Sequence, residues 1–107
     1  MTKPSITHEA RCLIYDQALS KWGLENQLLV AIEEMSEVQK AITKLIRVNN
    51  IHHSNEEYLA CFDNLIEEIA DATIMLEQLR YFYGMNAEVE EMMDRKIMRL
   101  EERINNV

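Results

Sequence analysis

Residues 25–48, ENQLLVAIEEMSEVQKAITKLIRV, decide the fold class. Leu28, Ile32, Met35, Val38, Ile42, Leu45 and Ile46 recur at steps of three and four, the spacing that lines one face of a helix, and no Gly or Pro interrupts them. At 1.5 Å per residue such a segment runs roughly 36 Å, enough to cross a small domain. A second long stretch, Ser54 to Tyr83, repeats the pattern with Tyr58, Cys61, Phe62, Leu65, Ile69, Ala72, Leu76, Leu79 and Tyr83. Two rods of this length, each with one apolar face, predict a central helical hairpin.

Working outward, the helix ends are marked by local chemistry. A first helix is expected from about Thr7 to Trp22, with Thr7 or Ser5 as N-cap and Gly23 as the stop. The second covers about Glu25 to Val48 and gives way to the polar stretch Asn49, Asn50, Ile51, His52, His53. Ser54 and Glu57 form a capping box that opens the third helix, which Gly84 ends. Asn86 is the expected cap of a fourth helix reaching about Asn105, whose Val89, Met93, Ile97, Leu100 and Ile104 form an apolar seam. That seam is expected to pack mostly inside the molecule, with a second subunit as the other possibility. Two Gly and one Pro in 107 residues leave little turn chemistry for strands. The expectation is all-α, a four-helix-type bundle forming a single domain over residues 1–107.

The charge balance narrows the function. With 19 acidic against 11 basic residues the chain has no cationic surplus with which to neutralise a phosphate backbone, so nucleic acid is not an expected partner. Cys12 and Cys61 form no CxxC pair, and His8, His52 and His53 do not fall at zinc-finger spacing from them; both thiols are expected reduced. No apolar run is long enough for a signal segment or a membrane span, and a cytoplasmic location is expected.

The informative irregularity is acidic. On a wheel of 100° per residue Glu34 falls inside the apolar arc of the second helix, Glu37 lies on its edge at about −60°, and Glu33 lies further out at about −100°. On the third helix Glu68 sits among Cys61, Ala72, Met75 and Leu79, with Asp71 at about −60° from it. Each central helix therefore carries one carboxylate in its buried stripe and another three residues later on the same side. Carboxylates withdrawn from water together repel one another unless they are protonated or share a cation. A set of oxygen ligands without His or Cys suits a hard divalent ion, Mg²⁺ first and Mn²⁺ next. A simpler reading leaves these residues as solvated rim groups on a Glu-rich bundle.

Glu33-Glu34-Met35-Ser36-Glu37 followed by Glu68-Ile69-Ala70-Asp71 resembles the EExxE and ExxD motifs of the MazG-like all-α nucleoside triphosphate pyrophosphohydrolases, relatives of dimeric dUTPase and phosphoribosyl-ATP pyrophosphohydrolase. The flanking Trp22-Gly23 and Gln27, and a helix bearing Lys96 and Arg99, resemble that group too, so the likeness runs from Trp22 to Arg99. One departure is the 30 residues between Glu37 and Glu68, at or beyond the long end of the family's usual spacing, with a His-containing connection.

The resemblance implies Mg²⁺-dependent cleavage of a nucleoside triphosphate between its α and β phosphates, yielding monophosphate and pyrophosphate, in a homodimer or homotetramer with its pockets near subunit contacts. It assigns Glu34, Glu37, Glu68 and Asp71 as metal ligands. Glu33 becomes an outer ligand or the acceptor of the water's proton, a role left open between Glu33 and Glu37. Lys96 and Arg99 would hold the pyrophosphate, although Glu91 with Arg95 and Arg99 with Glu102 also read as ordinary surface pairs. Trp22 would stack on the base or else sit in the core, and Gln27 would hydrogen-bond the base or else face solvent. His52 and His53 read as part of a solvated connection, not as metal ligands. The rival from another class is a non-catalytic helical module whose seams oligomerise or bind a partner helix. A ferritin-like di-iron site would need Glu-x-x-His, which neither motif supplies.

Overall fold

The computed structural model describes residues 5–50 and 54–106; His52 and His53 lie outside the described residues. The described chain is all-α, with α1 over His8–Trp22, α2 over Leu24–Asn50, α3 over Asn55–Phe82 and α4 over Asn86–Asn105. Among these residues no helix is long and apolar enough to cross a membrane.

Helix ends follow the capping chemistry with one exception. Thr7, not Ser5, caps α1, its hydroxyl accepting from the Ala10 N–H. Gly23 joins α1 to α2 alone: its N–H donates to the Leu19 carbonyl and its own carbonyl accepts from Gln27. The φ of 83° this requires is open to glycine and strained for other residues. Ser54 Oγ accepts from the Glu57 N–H at the start of α3. At its end Gly84 donates to the Tyr81 carbonyl and Met85 to that of Arg80, the paired bonds of a Schellman stop. This stop corrects the expectation for Asn86. The chain leaves the turn at Met85, whose carbonyl already accepts from Val89, so Met85 holds the cap position without a side-chain bond and Asn86 is the first residue of α4.

The core is the seam between α2 and α3. Gln27, Ala31, Glu34, Val38, Ala41, Leu45 and Val48 meet Cys61, Leu65, Glu68, Ala72, Met75, Leu79 and Phe82, all buried or half-buried. On both helices the steps alternate four and three, the heptad spacing of knobs-into-holes packing. Ala41 is 1 % exposed, and the small residues Ala31, Ala41 and Ala72 let the two rods approach closely.

The seam is narrower than the apolar arc of either helix, which corrects the expected buried faces. Ile32, Met35, Ile42 and Ile46 on α2, Tyr58, Phe62, Ile69 and Leu76 on α3, and Tyr83 at its C-cap are exposed. The half of the α2 arc centred on Glu34 is used, and the half from about 80° to 160° points outward. A two-helix contact can cover only a stripe, and the described chain supplies no third helix for the remainder.

The outer helices attach lightly. Buried Tyr15 anchors α1, its hydroxyl donating to Glu77 Oε1 at 2.8 Å, while Arg11 adds an ion pair to Glu77 at 3.2 Å and Tyr81 donates to Asp16 at 2.9 Å. Among the described residues helix α4 touches only α3 and buries no side chain, so its seam does not pack against them; Met93, Ile97, Leu100 and Ile104 are all exposed. Arg80 ties its first turn down through Glu90 and the Asn86 carbonyl.

Candidate metal centre

Halfway along the hairpin the heptad seam carries a carboxylate from each helix, Glu34 on α2 and Glu68 on α3. Asp71 follows Glu68 by three residues, one helical step along the same side. One carboxylate oxygen from each of the three lies within 4.8 Å of the others, with Glu34 and Glu68 half-buried and Asp71 exposed. A modest closing of the three side chains would bring one oxygen from each onto a single ion, and an all-carboxylate donor set is of the kind hard divalent cations take.

The cluster is not electrostatically neutral. Burial first, then the charges of Asp71, Glu68, Glu33 and Glu37, push the Glu34 carboxyl above its usual range. All five acidic residues singled out by sequence thus act on one point, although only three converge to ligand distance. Glu37 is half-buried and accepts an ion pair from Lys40 at 3.3 Å, the residue three positions on along α2. Beyond it the same helix turns cationic, with Lys40, Lys44 and Arg47 around a shallow polar surface. Glu33 is exposed and faces a different feature.

That feature is a largely apolar groove of about 700 Å³ among α1, α2 and α3, lined by Trp22, Gln27, Glu33, Ile74, Met75 and Gln78 together with their neighbours. It joins three residues picked out separately by sequence. Trp22 is not a core residue: it is half-exposed, with the Lys21 ammonium 5.3 Å from its ring centre. Gln27 is not a surface residue, being buried in the seam where α2 starts. Asn26, also at the groove, donates to the Trp22 carbonyl at 2.8 Å and holds that corner of the chain.

Lys96 and Arg99 stay apart from this assembly. Both are exposed on α4, which does not reach α2, and among the described residues no ion pair joins them to the carboxylates. The Glu91–Arg95 surface pair forms at 2.7 Å. Sequence reasoning missed Gln78, whose signal was weak, an amide beside Glu77 between the apolar Leu76 and Leu79. It also missed the Tyr15–Glu77 bond, because a contact across 62 residues leaves no local spacing to read. Compared with protein-family models, with curated proteins and with solved structures, the chain matches none.

Proposed function

We propose that this chain is a Mg²⁺-dependent nucleoside triphosphate pyrophosphohydrolase of the MazG-like kind, cleaving between the α and β phosphates and working as a homodimer or homotetramer in the cytoplasm. The observation that carries this reading is the convergence of Glu34, Glu68 and Asp71 from two helices to within 4.8 Å. The donor set fits the ion: it is all oxygen and all acidic, and burial together with the neighbouring carboxylates pushes the Glu34 carboxyl up.

Glu34, Glu68 and Asp71 would hold the cation, with Glu37 available as a fourth ligand by giving up Lys40. A bound divalent ion neutralises phosphate charge and polarises a phosphoryl oxygen. The chain's own residues supply the rest. Glu33, exposed at the rim of the groove and adjacent in sequence to Glu34, is the better placed of the two candidates to accept a proton from water, since Glu37 is engaged by Lys40. Trp22 offers an accessible aromatic face for a base, and Gln27 a buried amide beside it.

Association is supported by surface arithmetic. A compact monomer of 12.6 kDa exposes about 6,200 Å², whereas this chain exposes 8914 Å². The excess of about 2,700 Å² is of the size that large obligate assemblies remove per subunit. In such an assembly Lys96 and Arg99 would reach phosphate at a partner's site instead of their own. The same exposed faces also favour the second reading, a helical interaction module without catalysis.

A screen of nucleoside triphosphates with Mg²⁺ or Mn²⁺, detecting pyrophosphate and orthophosphate separately, divides the two. Pyrophosphate with monophosphate is expected. Orthophosphate with a diphosphate product contradicts the bond assignment, and no turnover of any triphosphate favours the interaction module.

A further inference from the structure

The charges of α4 bear on what covers its apolar row. Val89 and Glu90 are used within the chain, Val89 half-buried where α4 leaves α3 and Glu90 paired with Arg80, so the open part of the row begins at Met93. Met93, Ile97, Leu100 and Ile104 follow at steps of four, three and four, all of them exposed, which is the d, a, d, a register of a two-stranded coiled coil. That register puts Lys96 and Arg103 at g, along one edge of the row, and Asp94 and Glu101 at e, along the other. One edge is basic and the opposite edge acidic. No residue three or four positions from Lys96 or Glu101 carries the opposite charge, and among the described residues neither forms an ion pair, whereas Arg95 on the outer face pairs with Glu91.

These edges decide between the two ways of pairing identical helices. In an antiparallel pair with the apolar layers matched, each g faces a g and each e faces an e, so Lys96 meets Arg103 and Asp94 meets Glu101, twice over, and every flanking contact is between like charges. In a parallel pair each g faces the e five residues further on in the other helix, and Lys96 meets Glu101 of the second copy on both sides of the row. Short helices pair weakly when the helix itself must first be formed. Here the bonds from Arg80 to Glu90 and to the Asn86 carbonyl already fix the first turn. A stable dimer needs about 800 Å² from each partner, well within the chain's excess of about 2,700 Å² over a compact monomer.

We propose that the apolar row of α4 docks in parallel on the same row of a second copy of this chain, about a two-fold axis along the seam, with Lys96 of each copy bridging to Glu101 of the other. The proposal rests on the association part of the reading above and adds to it the surface, the occupant and the direction. Lys96 engaged in this way is not open to phosphate, which leaves that role to Arg99 at an outward c position.

Sedimentation equilibrium of the full chain tests the pairing by comparing the parent with Lys96→Glu, Glu101→Lys and the double variant. The parent is expected to dimerise, each single variant to do so roughly tenfold more weakly because two attractions become two repulsions, and the double variant to recover the parent's affinity. Direction is read by disulfide trapping in a Cys12→Ser, Cys61→Ser background. Ile104→Cys should link two chains on air oxidation, since only a parallel pair brings the two ends of α4 together, while Met98→Cys on the outer face should not. A monomeric parent, a dimer indifferent to the charge reversals, a double variant as weak as the singles, or linkage through Met98→Cys as ready as through Ile104→Cys would overturn the proposal. Pyrophosphate release from a chain whose association ignores the α4 charges would sink the pairing and spare the hydrolase. Paired α4 helices without turnover of any triphosphate would do the opposite.

Discussion

Glu34 is the residue on which the opposing forces meet. It occupies a heptad position that packing would give to an apolar side chain, and burial together with four neighbouring carboxylates raises its pKa. A carboxyl raised in the folded state destabilises the fold once ionised, so without metal the penalty is absent below the ordinary value of about 4.3 and builds as pH rises through the folded value. Urea midpoints in chelator should therefore show Glu34→Gln more stable than the parent chain at pH 7 and level with it near pH 4, and added Mn²⁺ should close the gap at pH 7 by stabilising only the parent. A variant less stable than the parent at both pH values would show that Glu34 is satisfied without a cation. Glu68→Gln should lower metal-dependent turnover by roughly a hundredfold or more with helicity unchanged by circular dichroism. These carboxylates were legible in the sequence because helical period alone puts Glu34 and Glu68 in the apolar stripe. The place of Glu37 was not, since Lys40 three residues away competes for it through a rotamer choice that no wheel records.

Helix α1 shows how a helix element can be held by polar groups. Burial pushes the Glu77 carboxyl up, but hydrogen bonds from Tyr15 and Arg11 outweigh it and leave the group below its usual range. Burial, then the bond to Glu77, pushes the Tyr15 hydroxyl up to about 12. The signs set a window. The Glu77 contribution is present above the ordinary carboxyl value and is lost as pH falls through the lowered one, while that of Tyr15 is complete below about 10 and is lost as pH rises towards the folded value. Tyr15→Phe should cost about 1.5–3 kcal/mol, as for a hydrogen bond to a charged group, and should speed hydrogen exchange in α1 more than in α2. Uniform loss of protection in all helices would mean that α1 does not open on its own. Element boundaries were legible wherever a short-range signal existed, at Thr7, Gly23, Ser54 and Gly84. They slipped at Asn86, where the two-residue Schellman stop used up the position a cap would take. Which half of the α2 arc would be buried was not legible, because periodicity states how wide an apolar face is and not how much of it a neighbour covers.

At the scale of the whole molecule the chain is extended for its length. Its radius of gyration is 17.6 Å, against about 13 Å for a compact domain of this size. Apolar rows on α2, on α3 and along α4 stay exposed in the single chain, and the proposed association would cover them. Ile97→Glu, on a residue 58 % exposed in the single chain, should leave a monomer unharmed but lower the mass of an assembly in sedimentation equilibrium. An unchanged oligomer would place α4 outside the interface. The proposed function rests on the middle of the central hairpin, and calorimetric titration of Mn²⁺ or Mg²⁺ into the parent chain and into Glu68→Gln examines it most directly. Saturable binding in the parent that disappears in Glu68→Gln is the expected result; heats of dilution alone in the parent, or the same saturable binding in both, would contradict a cation held between α2 and α3.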